Sequence, residues 1–69
     1  MAVFTAAAFA LRKKLILEAL GQCGARTPET AKSLEEAEVI NPDKFPEYTE
    51  KLVLLEVIRE TPDHRYYLP

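Results

Sequence analysis

The chain contains few of the residue types that carry out covalent or metal chemistry. Its only cysteine is Cys23 and its only histidine is His64, far apart in the sequence. A thiol needs a nearby base to act as a nucleophile, and no pattern typical of such enzymes surrounds Cys23. One thiol and one distant imidazole also fall short of the four ligands of a zinc site. We therefore predict no catalytic residue and no metal site.

Two other features favour neither acid–base chemistry nor phosphate binding. The carboxylates Glu35, Glu36 and Glu38 form a run, but such runs usually lie on the solvated face of a helix. Gly21 and Gly24 are the only glycines, so the chain has no glycine-rich phosphate loop. The sequence predicts a protein that binds a partner, with no enzymatic activity, no cofactor and no small-molecule substrate.

Length and composition predict one domain over residues 1–69. A chain of 69 residues buries only about 60% of the surface that its unfolded form exposes, so its core is marginal without a partner. The hydrophobic content of 48% argues against disorder, and the net charge of −2 does not indicate a strongly basic face. The apolar run over residues 2–11 is too short to span a bilayer and precedes its basic neighbours, unlike a secretory signal. We expect a cytoplasmic protein that does not bind membranes.

The first predicted helix covers residues 5–20. Thr5 can cap its N-terminus, and Gly21 stands where the C-terminus of a helix favours glycine. Its apolar residues extend over about half of the helical circumference, which is wider than the stripe that a surface helix needs. We expect the excess to mediate self-association as a dimer, with residues 1–20 as the dimerisation segment. The residues assigned to this surface are Phe4, Phe9, Leu17, Leu20 and Leu54.

Two further helices and a hairpin are predicted. Thr27 followed by Pro28 is typical of the start of a second helix, and Pro46 can open a third. Two runs rich in β-branched and aromatic residues on either side of Pro62 and Asp63 predict a β-hairpin. The predicted core of this mainly α fold comprises Leu11, Leu15, Leu34, Ile40, Phe45, Leu52, Leu55, Ile58 and Leu68.

This order of elements resembles the winged helix-turn-helix superfamily. The residues that carry the resemblance are TPETAKSLEEAEVINPDKFPEYTEKLVLLEVI followed by RETPDHRYYL, within residues 15–68. The resemblance implies a three-helix winged-helix-like fold and a DNA-binding module of transcription-regulator type. Such sequences commonly have glycine where this chain has Glu38, Glu56 and His64, which implies a left-handed backbone at these three positions.

The resemblance also implies which residues would contact double-stranded DNA. They are Thr27, Thr30 and Lys32 on the second helix, Lys44, Tyr48 and Lys51 at the third, and Arg59 and Arg65 on the wing. Glu47 and Glu50 on the same third helix would repel phosphate. A second hypothesis therefore stays open, in which the same fold binds a partner protein or a second copy of the chain and no DNA.

Overall fold

The computed structural model describes residues 6–69, and its regular structure consists of two helices and a two-stranded hairpin. The elements in chain order are α1 (Ala6–Gln22), a 3₁₀ turn (Pro28–Thr30), α2 (Pro46–Leu54), β1 (Arg59–Glu60) and β2 (Tyr66–Tyr67). The strands are antiparallel, and Glu60 lies opposite Tyr66. Because no three-helix arrangement is present in residues 6–69, the prediction of a three-helix winged-helix-like fold is wrong. The predicted hairpin across Pro62 and Asp63 is present.

The helix predicted to start at Thr27 is replaced by a single 3₁₀ turn. Thr27 and Thr30 each accept a backbone N–H bond from the other, at 3.2 and 3.0 Å. Ala31 then leaves the helical region with φ −56° and ψ 145°. Lys32 pairs with Tyr66 through backbone hydrogen bonds of 2.9 and 2.7 Å. A helix cannot continue through Lys32, because its backbone is held beside the hairpin.

A single helical turn forms again after Lys32. Ser33 Oγ accepts a hydrogen bond from the N–H of Glu36, and the Glu36 carboxylate accepts one from the N–H of Ser33 at 2.9 Å. This reciprocal pair is a capping box, in which each side chain satisfies a backbone donor of the other residue. The turn ends at Glu38, where φ is 61°.

The left-handed positions implied at Glu38, Glu56 and His64 are confirmed. Their φ angles are 61°, 61° and 62°. After Glu38 and after Glu56, the next N–H bonds to a carbonyl five residues earlier, at Leu34 and Leu52. This is the hydrogen bond of a Schellman C-cap, whose left-handed residue is usually glycine.

Helix α1 ends later than its sequence predicts. Gly21 lies inside the helix, and Gly24, with φ 68°, is the left-handed residue beyond it. The N–H of Ala25 bonds to the carbonyl of Leu20 at 3.0 Å and closes this end. Thr5, the predicted N-cap, lies outside the described residues. No helix within residues 6–69 is long and apolar enough to cross a bilayer.

The core lies between α1, α2 and the segments that join them. The largest residues with no exposed surface at its centre are Ile16, Leu20, Leu52 and Ile58. Three predicted core residues are confirmed, namely Leu34, Leu52 and Ile58, while Leu15 and Leu68 are half-buried. The prediction is wrong for four residues that are exposed, namely Leu11, Ile40, Phe45 and Leu55.

The position of Arg12 accounts for the exposure of Leu11. The buried residues of α1 are Arg12, Ile16 and Leu20, which recur every four residues and so share one face. Leu11 precedes Arg12 and therefore lies about 100° around the helix, away from the core.

Candidate functional site

Most of the residues proposed for DNA contact form hydrogen bonds, ring contacts or ion pairs within the chain. Thr27 and Thr30 cap one another, and Lys32 is bridged to the hairpin. Tyr48 is 4% exposed, because its ring stacks on Phe45 with centroids 5.1 Å apart. Tyr48 therefore presents almost no surface to a partner.

The cations of the hairpin region lie close to carboxylates. Arg65 is 3.4 Å from both Glu36 and Asp63, and Arg59 is 3.7 Å from Glu56. Lys44 before α2 and Lys51 on α2 are exposed, but so are Glu47 and Glu50 on α2. The hairpin and α2 thus present charges of both signs. Affinity for DNA depends on an excess of positive charge facing the phosphates.

The residues assigned to self-association are dispersed over the fold. Leu20 has no exposed surface and belongs to the core. Phe9 and Leu17 are half-buried, and Phe9 meets the ring of Tyr48 edge-on at 5.8 Å. Leu54 is 75% exposed at the end of α2. Phe4 lies outside the described residues.

Three large apolar side chains that the sequence assigned to the core instead form a surface, which we call the Leu11 patch. Its members are Leu11, Ile40 and Phe45, exposed by 62%, 65% and 47%. They line a shallow groove of about 180 Å³ between α1 and the segment that precedes α2. The remaining lining residues are Ala8, Arg12, Leu15, Asn41 and Tyr48.

Arg12 links the two walls of this groove, α1 and the loop over residues 40–44. Its guanidinium donates hydrogen bonds to the carbonyl oxygens of Ile40 at 2.6 Å, Asn41 at 2.9 Å and Lys44 at 3.2 Å. Its Cζ lies 5.7 Å from the centroid of the Phe45 ring, within the range of a cation–π contact. Burial lowers the pKa of Arg12, although the side chain stays charged because guanidinium is so basic. Arg12 Nε is buried and has no partner in the described part of the chain.

The loop that Arg12 binds has an unusual backbone. Asn41 and Phe45 both have positive φ, at 51° and 55°. Pro46 disfavours the right-handed helical region for Phe45, and the chain enters α2 from a left-handed residue instead. The three carbonyl contacts to Arg12 fix this loop and so fix where Ile40 and Phe45 project.

A larger groove of about 540 Å³ continues along α1 and shares Leu15 and Ile40 with the first. Three carboxylates line it, those of Glu18, Glu36 and Glu38. The backbone N–H of Ser33 is the main cause that lowers the pKa of Glu36, and Arg65 adds to the effect. Cys23 also lines this groove, where its thiol donates to the carbonyl of Ala19 at 2.8 Å.

A third groove of about 380 Å³ separates α2 from the hairpin. Thr49 lines it, and its buried hydroxyl has no partner among residues 6–69. Glu60 accepts a hydrogen bond from the hydroxyl of Tyr66 at 3.3 Å and lies 2.9 Å from Nδ1 of His64. Burial, together with the charge of Glu60, raises the pKa of Tyr66.

The described residues contain no group of three or more His, Cys, Asp or Glu side chains that could hold a metal ion. Comparison with protein-family models, curated proteins and solved structures finds no match to the chain.

Proposed function

We propose that this chain is a non-enzymatic protein-interaction module that binds its partner through the Leu11 patch. The observation that carries the proposal is the exposure of Leu11, Ile40 and Phe45 on one face. Monomeric proteins rarely expose large contiguous apolar patches, and those that exist often mark interaction sites. Arg12 binds the backbone beneath the patch, so these side chains are held on a fixed support.

The N-terminal half of α1 extends the same apolar surface. Ala6, Ala7, Ala8 and Ala10 are all exposed, and no polar residue occurs from residue 6 to residue 11. A helix segment that is apolar around its whole circumference is normally buried. A partner that covers the Leu11 patch would reach this segment as well, because Ala8 lines the same groove.

The charges favour a protein partner over DNA. Arg59 and Arg65 lie beside carboxylates, and Glu47 and Glu50 are exposed on α2. Phosphate contacts supply most of the affinity of a DNA-binding protein, and each nearby carboxylate reduces that contribution. A cytoplasmic location is part of the proposal and agrees with the free thiol of Cys23. Dimerisation stays a prediction from the sequence.

Affinity capture with matched variants tests the proposal. The wild-type chain, the double variant Leu11→Ser/Ile40→Ser and the control Leu55→Ser are immobilised and exposed to the same lysate of the source cells. Leu55 is a suitable control because it is 56% exposed, lines none of the three grooves and belongs to neither proposed binding surface. We expect a protein that the wild type and Leu55→Ser retain and the double variant loses. Identical retention by all three would contradict the proposal.

Fluorescence anisotropy with a labelled mixed-sequence duplex at low salt tests the competing function. The proposal predicts no binding at micromolar protein. Binding that weakens steeply with added salt would instead support DNA as the partner, since it reports release of counterions from phosphates.

A further inference from the structure

The two grooves beside α1 form one continuous surface with different chemistry at its two ends. Leu15 and Ile40 line both grooves and join them. At one end lies the Leu11 patch, and at the other lie Glu18, Glu36 and Glu38. We propose that this joint groove binds a helical segment of a partner protein in which apolar anchor residues are followed, along the helix, by basic residues. The inference rests on the proposed function and specifies the partner of the same site.

The dimensions of the groove fit a helix of about four turns. Its lining residues run from Ala8 to Cys23, a separation of 15 positions along α1 and its end. At a rise of 1.5 Å per residue, this corresponds to about 22 Å and to a partner helix of about 15 residues. The Leu11 patch supplies the apolar contacts for anchor residues, which in helix-in-groove complexes recur about once per helical turn.

A strand is a poorer fit than a helix at this place. Strand addition needs an exposed sheet edge with unpaired backbone groups. The groove is lined by α1 and its end, by the segment over residues 36–45 and by Tyr48 of α2, and none of these is a strand.

The charges of the groove specify a basic partner segment. Among residues 6–69, no lysine or arginine lines the larger groove. Arg65 lies beside Glu36, but Glu18 and Glu38 are exposed and have no ion pair within residues 6–69. Arg12, the one cation among the described residues that line the smaller groove, is buried and donates to three backbone carbonyls. Lysine or arginine side chains on the partner would therefore meet carboxylates at one end of the groove, which gives specificity and a faster association rate.

Selection from a display library of random 16-residue peptides tests the inference without a known partner. The immobilised targets are the wild type, Glu18→Lys/Glu38→Lys, Leu11→Ser/Ile40→Ser and the control Glu29→Lys. Glu29 is exposed on the 3₁₀ turn and lines neither groove beside α1. Enriched peptides are then synthesised, and their affinities for all four proteins are measured by fluorescence anisotropy.

We expect the wild type to enrich peptides with apolar residues at helical spacing in one half and an excess of lysine or arginine in the other. Their affinity should fall about five- to tenfold on Glu18→Lys/Glu38→Lys, as two lost charge pairs would give. It should be lost on Leu11→Ser/Ile40→Ser and unchanged on Glu29→Lys.

Four outcomes would overturn the inference. Enriched peptides with apolar anchors but no basic half would overturn it and leave the proposed function intact. Peptides whose binding ignores Leu11→Ser/Ile40→Ser, or no enrichment at all, would contradict both. A dimer found by sedimentation velocity, and dissociated by Leu11→Ser/Ile40→Ser, would show that the occupant is a second copy.

Discussion

Arg12 Nη1 donates a 2.6 Å hydrogen bond to the carbonyl oxygen of Ile40 and ties α1 to the loop before α2. The backbone of Ile40 is thereby held against the helix, while its side chain stays 65% exposed. A buried cation thus takes a place on α1 that an apolar residue usually occupies, and apolar residues next to it are displaced to the surface. The candidate binding surface follows from the presence of this one polar residue, Arg12, on the buried face of α1.

Replacing Arg12 by methionine should destabilise the fold while keeping a side chain of similar length. Three carbonyl oxygens would lose a charged donor, and hydrogen bonds to charged groups contribute about 1.5–3 kcal/mol each in favourable cases. Because methionine packs well in apolar surroundings, we expect a net loss of about 2–3 kcal/mol in the free energy of unfolding, measured with urea. Lys13→Met is the control and should change stability by less than about 0.5 kcal/mol. Equal stability of the two variants would contradict the role assigned to Arg12.

The exposure of Leu11 predicts that its truncation costs little, in contrast to truncation of a neighbour in the core. Leu11 is 62% exposed, whereas Ile16 has no exposed surface. We expect Leu11→Ala to change the free energy of unfolding by less than about 0.5 kcal/mol. Ile16→Ala should cost about 2–5 kcal/mol, because it leaves a cavity. A large loss in Leu11→Ala would mean that this residue belongs to the core after all.

Glycine at the two left-handed helix ends should stabilise the chain. Glu38 and Glu56 each have φ 61°, a conformation that costs a non-glycine residue about 1 kcal/mol. We expect Glu38→Gly and Glu56→Gly each to raise the free energy of unfolding by up to about 1 kcal/mol. The control Glu50→Gly lies inside α2 and should lower it by about 1 kcal/mol. Glu56→Gly also removes the exposed 3.7 Å contact with Arg59, so Glu38→Gly isolates the backbone effect more cleanly. A loss of stability in Glu38→Gly would contradict the strain assigned to the left-handed backbone.

The same change at His64 should give a smaller gain. His64 has φ 62°, and its Nδ1 lies 2.9 Å from a carboxylate oxygen of Glu60. His64→Gly relieves the backbone but removes this exposed contact, which contributes at most about 1 kcal/mol. Urea unfolding should place His64→Gly between the wild type and Glu38→Gly. A variant less stable than the wild type would show that the contact with Glu60 outweighs the strain.

The sequence predicted correctly those turns and helix starts that are determined by residues adjacent in the chain. Pro46 indicated the start of α2, and Pro62 and Asp63 indicated the hairpin. In these two cases the preference is built into the backbone of the residues concerned, so no tertiary contact is needed to reveal it. The left-handed backbone at Glu56 was implied by the resemblance to winged helix-turn-helix sequences, because glutamate itself disfavours this conformation.

The prediction of a second helix from Thr27 was wrong because a non-local backbone pairing determines the structure at Lys32. Lys32 is fixed by Tyr66, 34 positions away, and this cannot be read from helical periodicity. The pattern Ser33-x-x-Glu36 did carry the local signal, since a second helix start so soon after Thr27 implies an interruption.

The binding surface escaped prediction for a related reason. Spacing alone assigned Leu11 to the core face, because the sequence does not show that Arg12 is buried. Burial of a guanidinium requires backbone carbonyls that only the loop over residues 40–44 supplies.

Stability should fall in acid partly through Glu36. The Ser33 backbone N–H is the main cause that holds the pKa of the Glu36 carboxyl below its ordinary value of 4.5, and the charge of Arg65 adds to it. Because the folded pKa is lower than the unfolded one, the stabilisation is fully present above pH 4.5 and is lost as the pH falls through the folded pKa. Asp63 contributes in the same direction, since the Thr61 hydroxyl is the main group that lowers its pKa.

The measurement is a series of urea unfolding curves from neutral pH to below pH 4.5. Glu36→Gln should be less stable than the wild type at neutral pH, since the amide loses the charge that Arg65 faces and accepts the Ser33 N–H more weakly. The difference should shrink as the pH falls, because protonation removes the same charge from the wild type. Glu35→Gln is the control, since the Glu35 side chain has no hydrogen bond or ion pair in the described residues, and its curve should follow the wild type throughout. A constant difference between Glu36→Gln and the wild type across this range would contradict the role of the Glu36 charge, because only a titrating group can make the difference depend on pH.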